Sequence, residues 1–286
     1  MGRGRMAGCG LLLLILGIAV PPGGQAESPK NTIYKVGVVP QFEARRLHQI
    51  WRPILDELQR HTGYRFELVG SPTIPAFENE FMAGAFDFAY MNPYHLMLAH
   101  DTEGYLPLVR DRGRTLYGIL AVRKDSNVKD IKDIKELQGK VVAFPAPNAL
   151  GASLQIRQEL KDYFGVQVKP RYVKTHDSVY LNVVLRQAAA GGGVQKTLAR
   201  QRPEVRNALR VIHKTTPVPP HPLAAHPRVP AIVRERVRNA MLKIGVDEEG
   251  RKLLLRVPIK QLGLTSIDDY LPLRDLGLQR FYLKSN

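Results

Sequence analysis

The chain has 286 residues, 44% hydrophobic and 24% charged, and its 42 Lys and Arg against 26 Asp and Glu give a formal charge of +16. That length and apolar content suffice for two medium domains with cores of their own and exclude a disordered or fibrous class. The basic surplus is spread along the whole chain without a dense tract or an aromatic ladder, so it is either a solubility feature or an attraction for small anions, and it argues against a nucleic-acid partner.

Arg3 and Arg5 form a basic start, LLLLILGIAV (11–20) an apolar core, and PPGGQAES ends in small residues with Gly24 and Ala26 placed like a cleavage site. The apolar run is half the length of the about 20 residues that span a bilayer. The expectation is a secretory signal peptide over residues 1–26, cut near Ala26, with an uncleaved anchor as the competing reading. Cys9, the only cysteine, precedes the apolar core, on the wrong side for lipid attachment, so the mature chain has neither a disulfide nor a thiol nucleophile. A bacterial periplasm suits such a chain.

IYKVGVVP (33–40) predicts a strand ended by Pro40. In ARRLHQIWRPILDELQRHTG, Leu47, Ile50, Trp51, Ile54, Leu55 and Leu58 fall on one face of a helix that Gly63 caps, with Pro53 as a possible bend. YRFELVG predicts a second strand, PAFENEFMAG a short helix with Phe77 and Phe81 on one side, FDFAYM (86–91) a third strand, and NPYHLMLAH another helix. LYGILAVRKDS (116–126) is a further strand. A second α/β run begins at KVVAFPA: a strand, a helix over ALGASLQIRQELKDYFG, a strand over VKPRYVKTHDS that breaks at His176, a helix over VYLNVVLRQAAA, and a strand within LRVIHKTTPVPPHP (209–222) that runs into a proline-stiffened crossover. From about Pro230 the chain reads as helical, without strand pairs of its own.

Alternating strands and helices argue for parallel sheets covered by helices. Two such halves joined by crossovers near 118–124 and 211–218 make a two-lobed α/β chain, with lobe 1 over 27–121 plus 216–286 and lobe 2 over 122–215. Strand C-terminal ends and helix N-termini of both lobes then face one cleft, where open α/β sheets bind ligands.

Three loops fit that geometry. In YMNPYH, Pro93 suits a first helical turn and Asn92 is either a plain N-cap or a ligand-facing amide. In AFPAPNALGAS, Asn148 is the expected N-cap, and Ala149, Leu150 and Gly151 offer backbone N–H groups to an anion; an ordinary strand-to-helix turn is the alternative. Ser153 is the only nearby hydroxyl. In KTHDSVY, Asp177 or Ser178 caps the next helix, and His176 at a strand end is either a surface residue or a donor to an anion. AAAGGGV (188–194) matches no nucleotide loop and reads as close helix–strand packing. The histidines, His95 and His100 among them, have no paired-ligand spacing for a metal. Glu78 and Glu80 read as a solvated helix face. Nothing assembles a nucleophile, a base and an orienter, so no catalysis and no cofactor are expected.

VGVVP, GAFDFAYMNPYH, AFPAPNALGAS and THDSVYLNVVL, in this order and with the spacing of PVPPHPL and DDYLPLRDLGL, resemble the phosphate/phosphite/phosphonate-binding proteins of ATP-driven uptake systems, over nearly all of residues 33–280. The resemblance implies the two-lobed type II fold of periplasmic solute receptors. It also implies a small oxyanion ligand, delivery to an ABC permease in the inner membrane, and action as a monomer. In that family a Ser-Thr-Ser-like run holds the phosphorus oxygens; Asn148, Ala149 and Leu150 stand in its place, keeping backbone donors and losing hydroxyls. The family's His-Asp pair matches His176 and Asp177, and its aromatic lining matches Phe42, Tyr90 and Tyr94. The acids that grip an aminoalkyl group in some members have no match, and Ala190–Gly193 stand where relatives often carry an Asp. A sensing module for a membrane receptor kinase would use the same cleft, and an enzyme on this fold would have only His176 and Asp177 to work with.

Overall fold

The computed structural model describes residues 1–2 and 32–284; the leader, its cut near Ala26, and Cys9 lie outside the described residues. In chain order the first part contains β1 (Ile33–Val38), α1 (Ala44–Thr62), β2 (Arg65–Val69), α2 (Ile74–Met82), β3 (Phe88–Tyr90), α3 (Pro93–Glu103) and β4 (Leu106–Asp111). The middle contains β5 (Gly118–Arg123), β6 (Val141–Phe144), a π turn at Leu150–Gln155 continuing as α4 (Ile156–Asp162), β7 (Lys169–Tyr172), α5 (His176–Val184), β8 (Ala190–Val194), α6 (Gln195–Ala199), α7 (Pro203–Ala208) and β9 (Leu209–Lys214). The last part contains β10 (Pro222–Ala225), α8 (Ala231–Val246), α9 (Glu248–Arg256) and β11 (Leu262–Leu264). Among the described residues no helix is long and apolar enough to cross a membrane.

The strands form two mixed sheets, of order β11-β4-β10-β3-β1-β2 and β7-β6-β8-β5-β9. Each has three parallel strands, β2, β1 and β3 in one and β7, β6 and β8 in the other, extended by antiparallel neighbours. The α1 stripe read from the sequence is buried in full against the first sheet, and Gly63 ends the helix in the left-handed region (φ 73°). Burying six apolar side chains at roughly 1.5–3 kcal/mol each is what holds that helix in place. The opposite face of the sheet is covered by α2, α3 and the C-terminal turns, through Phe77, Phe81, Leu96 and Leu273. The second sheet is packed on both faces, against α4 on one side and α5 on the other.

Four strands depart from the sequence expectations. β4 contains Pro107, which masks it as a strand; the proline is accommodated at the register shift of β4 against β10. The C-terminal part does carry strands, since β10 and β11 complete the first sheet. With four and three residues they are too short to show an alternating pattern. The helix expected through Ala190 ends at Val184, and the glycine-rich stretch is β8. A Cβ on Gly192 would stand 2.1 Å from the Ala152 carbonyl and 2.6 Å from the Phe144 ring, so only glycine lets the helix start lie on this strand. A boundary between residues 121 and 122 would cut β5, which pairs along its length with β8 and β9. The segments that pass between the sheets are 112–117 and 215–221.

Candidate functional site

The pairing registers bring two sheet edges together. In the first sheet β1 and β3 end side by side (Val38 opposite Tyr90), β10 begins there (Leu223 opposite Tyr90), and β4 ends there (Arg110 opposite Pro222). In the second, β6 and β7 end together (Phe144 opposite Tyr172), β5 begins beside the end of β8 (Gly118 opposite Val194), and β9 ends beside β5 (Lys214 opposite Ile119). The two crossing segments therefore link the two edges directly. They pair with each other through Leu116 and Val218, by two backbone N–H···O bonds of 2.8 Å. The C-terminal strand ends of both units, and the helix starts that follow them, thus meet at one interface.

On the first side, Tyr90 is buried between Trp51 (ring centroids 4.8 Å) and His221 (5.5 Å, stacked), and burial pushes its phenol well above the usual range. Gln41 Nε2 donates to His221 Nε2 (2.7 Å). Burial, then the nearby Arg114 guanidinium, hold His221 down at about 3, so it is neutral. Phe42 is partly buried under the Arg46 guanidinium, 4.5 Å from the ring centroid. Asn92 is the N-cap of α3, its Oδ1 accepting from His95 N (2.8 Å). Tyr94 is buried 5.8 Å from the Tyr282 ring.

On the second side, the helix start does not use Asn148 as its cap. Ala149 holds the N-cap position without a side-chain bond, and its carbonyl receives both Ser153 N (2.8 Å) and Leu154 N (3.1 Å), the wide turn of a π helix. Leu150 is buried among first-unit residues such as Phe77 and Tyr94. Gly151 lies so close to the start of β5 that a Cβ on Gly118 would stand 1.8 Å from its carbonyl. Ser153 Oγ is taken by Arg157 Nε (3.2 Å). For α5 the cap is Thr175, not Asp177 or Ser178: Thr175 Oγ1 accepts from Ser178 N (3.1 Å) and donates to Ser178 Oγ (2.9 Å). The hydroxyl of Thr175, two residues before Asp177, already meets the first-turn N–H. Asp177 Oδ1 accepts from Gln201 Nε2 (2.6 Å). His176 opens α5, and its Nδ1 is buried without a hydrogen-bond partner, as is the Tyr172 hydroxyl. Burial outweighs the pull of Asp177 and lowers His176 to about 4.

A network the sequence did not disclose ties the units together. Glu78, read as solvated, is fully buried. His95 Nε2 donates to its Oε1 (2.9 Å), and Asn148 Nδ2 (2.9 Å) and the Tyr282 hydroxyl (3.1 Å) donate to its Oε2. Asn148 also pairs with the Leu283 backbone in both directions, donating to the carbonyl (2.8 Å) and accepting from N–H (3.0 Å). Arg157 Nη2 donates to the carbonyls of Pro147 (2.6 Å) and Phe281 (2.7 Å). Asn148 thus clips the C-terminal segment between the two units. Farther along the interface, Lys196 of α6 donates across it to the Pro258 carbonyl (3.3 Å). Arg114 Nε pairs with the buried Asp111 (2.8 Å), which also accepts from Gly113, Lys260 and Gln261 N–H. Among the described residues no cluster of His, Cys, Asp and Glu is placed to hold a metal.

A family model described as the periplasmic substrate-binding protein of phosphonate ABC transporters matches residues 36–270. A binding-protein component of an ABC phosphonate transporter from Pseudomonas aeruginosa has a similar structure, with 20% identity and a TM-score of 0.76 over 87% of each chain. A Prochlorococcus marinus protein solved in complex with methylphosphonate is 15% identical, with a TM-score of 0.77 over 87% of this chain and 98% of that one. A Xanthomonas citri protein solved with chloride ion is 18% identical, with a TM-score of 0.72 over the same shares.

Proposed function

From the premise that the chain belongs to the periplasmic substrate-binding family of phosphonate ABC transporters, we propose that its lobes close over a tetrahedral phosphorus oxyanion (phosphate, phosphite or an alkylphosphonate). The protein is a solute-binding component; the proposal concerns what it holds and how. The first lobe runs from the cleaved leader to segment 112–117 and resumes after 215–221, and the second lies between. Lobe 2 meets the anion with His176 and with the N–H groups of Ala149, Leu150 and Gly151, that of Ala149 turning from its long bond to the Ala146 carbonyl (3.4 Å), at a helix start that favours negative charge. Phe42, Tyr90 and Tyr94 wall the pocket from lobe 1. Asn92, Asp177 and Ser178 act one step back, by capping α3, joining α5 to Gln201 in the turn after α6 and completing the α5 cap. Closure strips water from the ligand, which strengthens each polar contact. The closed, monomeric form is then recognised by an inner-membrane permease.

The observation that carries this reading is the buried, unpartnered Nδ1 of His176 at the strand edge that faces the first sheet. A buried polar atom without a protein partner keeps hydrogen-bonding capacity that a ligand can use. A thermal-shift screen of the mature chain against phosphate, phosphite, methylphosphonate, sulfate and carboxylates tests it. A ligand at about a hundred times its Kd stabilises by about 2.7 kcal/mol, or roughly 5–10 °C for a chain of this size. No shift with any phosphorus oxyanion refutes the proposal.

A further inference from the structure

The helix start at Leu150 supplies dipoles but no charge, and its side-chain donors are already engaged: Asn148 by Glu78 and Leu283, Ser153 by Arg157. Charge is present elsewhere on the same interface. Lys196 follows the C-terminal end of β8, the strand beside which β5 begins after segment 112–117. Its half-buried ammonium reaches over to the first lobe, where among the described residues it finds one hydrogen bond, to the Pro258 carbonyl (3.3 Å), and no ion pair. A part-buried ammonium satisfied only by a carbonyl carries a desolvation cost that an anion would offset.

Arg114 lies on segment 112–117, with its side chain 20% exposed. Among the described residues only its Nε is engaged, with Asp111, so both Nη groups keep their donors. The acid that pairs with Arg114 is Asp111, and three backbone N–H groups share it. The charged groups that act on Lys196 are Arg114, Asp111, Arg200 and Lys260, three cations against one acid. Burial and those cations bring Lys196 down to about 8.

We propose that Lys196 and Arg114 are the counter-charge of the bound oxyanion, an ammonium from lobe 2 and a guanidinium from the crossing segment that meet a doubly charged ligand between them. The inference rests on the functional reading above and adds the residues that neutralise the ligand. In place of hydroxyl donors, this receptor uses cations that the closing of the lobes brings together.

The test is calorimetry on the mature chain with methylphosphonate, phosphite, phosphate and sulfate, from about pH 7 to 9. Wild type loses affinity as pH rises through about 8, where Lys196 gives up its proton. Lys196→Met weakens binding at least about tenfold at pH 7, the loss of one charge-assisted contact. Lys196→Arg keeps the charge, so it binds within about threefold of wild type at pH 7 and lacks the alkaline fall-off. The ligand's own ionisation is common to both proteins and cancels in that comparison. Arg114→Gln loses affinity by a similar factor. If wild type binds and Lys196→Met binds equally well, or if wild type and Lys196→Arg share one pH profile, the counter-charge role is refuted and the functional reading stands. If wild type binds none of the four, both fall together.

Discussion

Replacing Asn148 with Ala separates two roles for this residue, ligand donor and tie between the lobes. In the structure its amide donates to the fully buried Glu78 carboxylate and pairs twice with the Leu283 backbone. Losing a hydrogen bond to a buried charged acceptor costs about 1.5–3 kcal/mol, because the acceptor stays behind. Leu283 is 47% exposed, so water replaces much of its two bonds, and they add about 0.5 kcal/mol each. The total of about 2.5–4 kcal/mol corresponds to roughly 5–16 °C in Tm for a chain of this length. Differential scanning calorimetry of the unliganded mature protein measures it, and limited carboxypeptidase digestion reports release of the C-terminal segment. Asn148→Asp sets a second acidic group against Glu78, so it destabilises more than Asn148→Ala. A Tm within about 2 °C of wild type for Asn148→Ala, with anion affinity lost, would show that the amide serves the ligand and that the tie contributes nothing.

His176 and His221 stay neutral in the fold down to about 4 and about 3, whereas an unfolded histidine protonates near 6.5. Over that window the unfolded chain binds more protons, so stability falls as pH drops, by at most about 1.4 kcal/mol per pH unit for each histidine. His221→Phe makes the acid limb of urea-unfolding stability shallower by about that amount, and an unchanged slope contradicts the argument. Gly192→Ala forces a methyl against the Ala152 carbonyl and the Phe144 ring. It destabilises by about 1–3 kcal/mol or more in urea unfolding, and a neutral result means that the helix start does not press on β8. Asp111→Ala strands Arg114 Nε and three backbone donors. It costs about 3–5 kcal/mol by the same measurement, and a loss under about 1 kcal/mol would show the Asp111 knot to be dispensable.

Legibility in the sequence followed the length of the element and the chemistry of its neighbours. The α1 stripe was readable because six apolar residues at helical spacing have one packing solution, and Gly63 punctuates it. β4 was hidden by Pro107, and β10 and β11 by brevity; their existence depends on partner strands distant in sequence. The strand-end loops were legible as places, since Asn92, Ala149 and His176 do stand at helix starts. Their roles were less so. Thr175 and Ser178 compete for one cap, and only backbone geometry decides between them. Glu78 was misread because a carboxylate beside Phe77 and Phe81 is ordinary on an amphipathic helix. What buries it is Asn148 and Tyr282, 70 and 204 residues away along the chain. Lys196 and Arg114 belong to a basic chain in which no single cation stands out by sequence.

The energetics of the site favour charge over hydroxyl geometry. A helix start offers an anion about 0.3–1 kcal/mol when exposed and up to about 2 when partly buried. Holding a ligand at micromolar concentration takes about 8 kcal/mol. With Asn148 and Ser153 engaged inside the protein, the lobe 2 side chains proposed for the ligand are a neutral His176 and a half-buried Lys196. Hydroxyl cradles distinguish ligands by where their oxygens point, whereas an ammonium and a guanidinium respond first to how much negative charge enters. A receptor built this way ranks its ligands by charge number before central atom. The order of affinities for methylphosphonate, phosphite, phosphate and sulfate at one pH is where that ranking is read: dianions of phosphorus and sulfur grouped together fit the cationic site, and a sharp preference for phosphorus at equal charge would return the selectivity to the helix start.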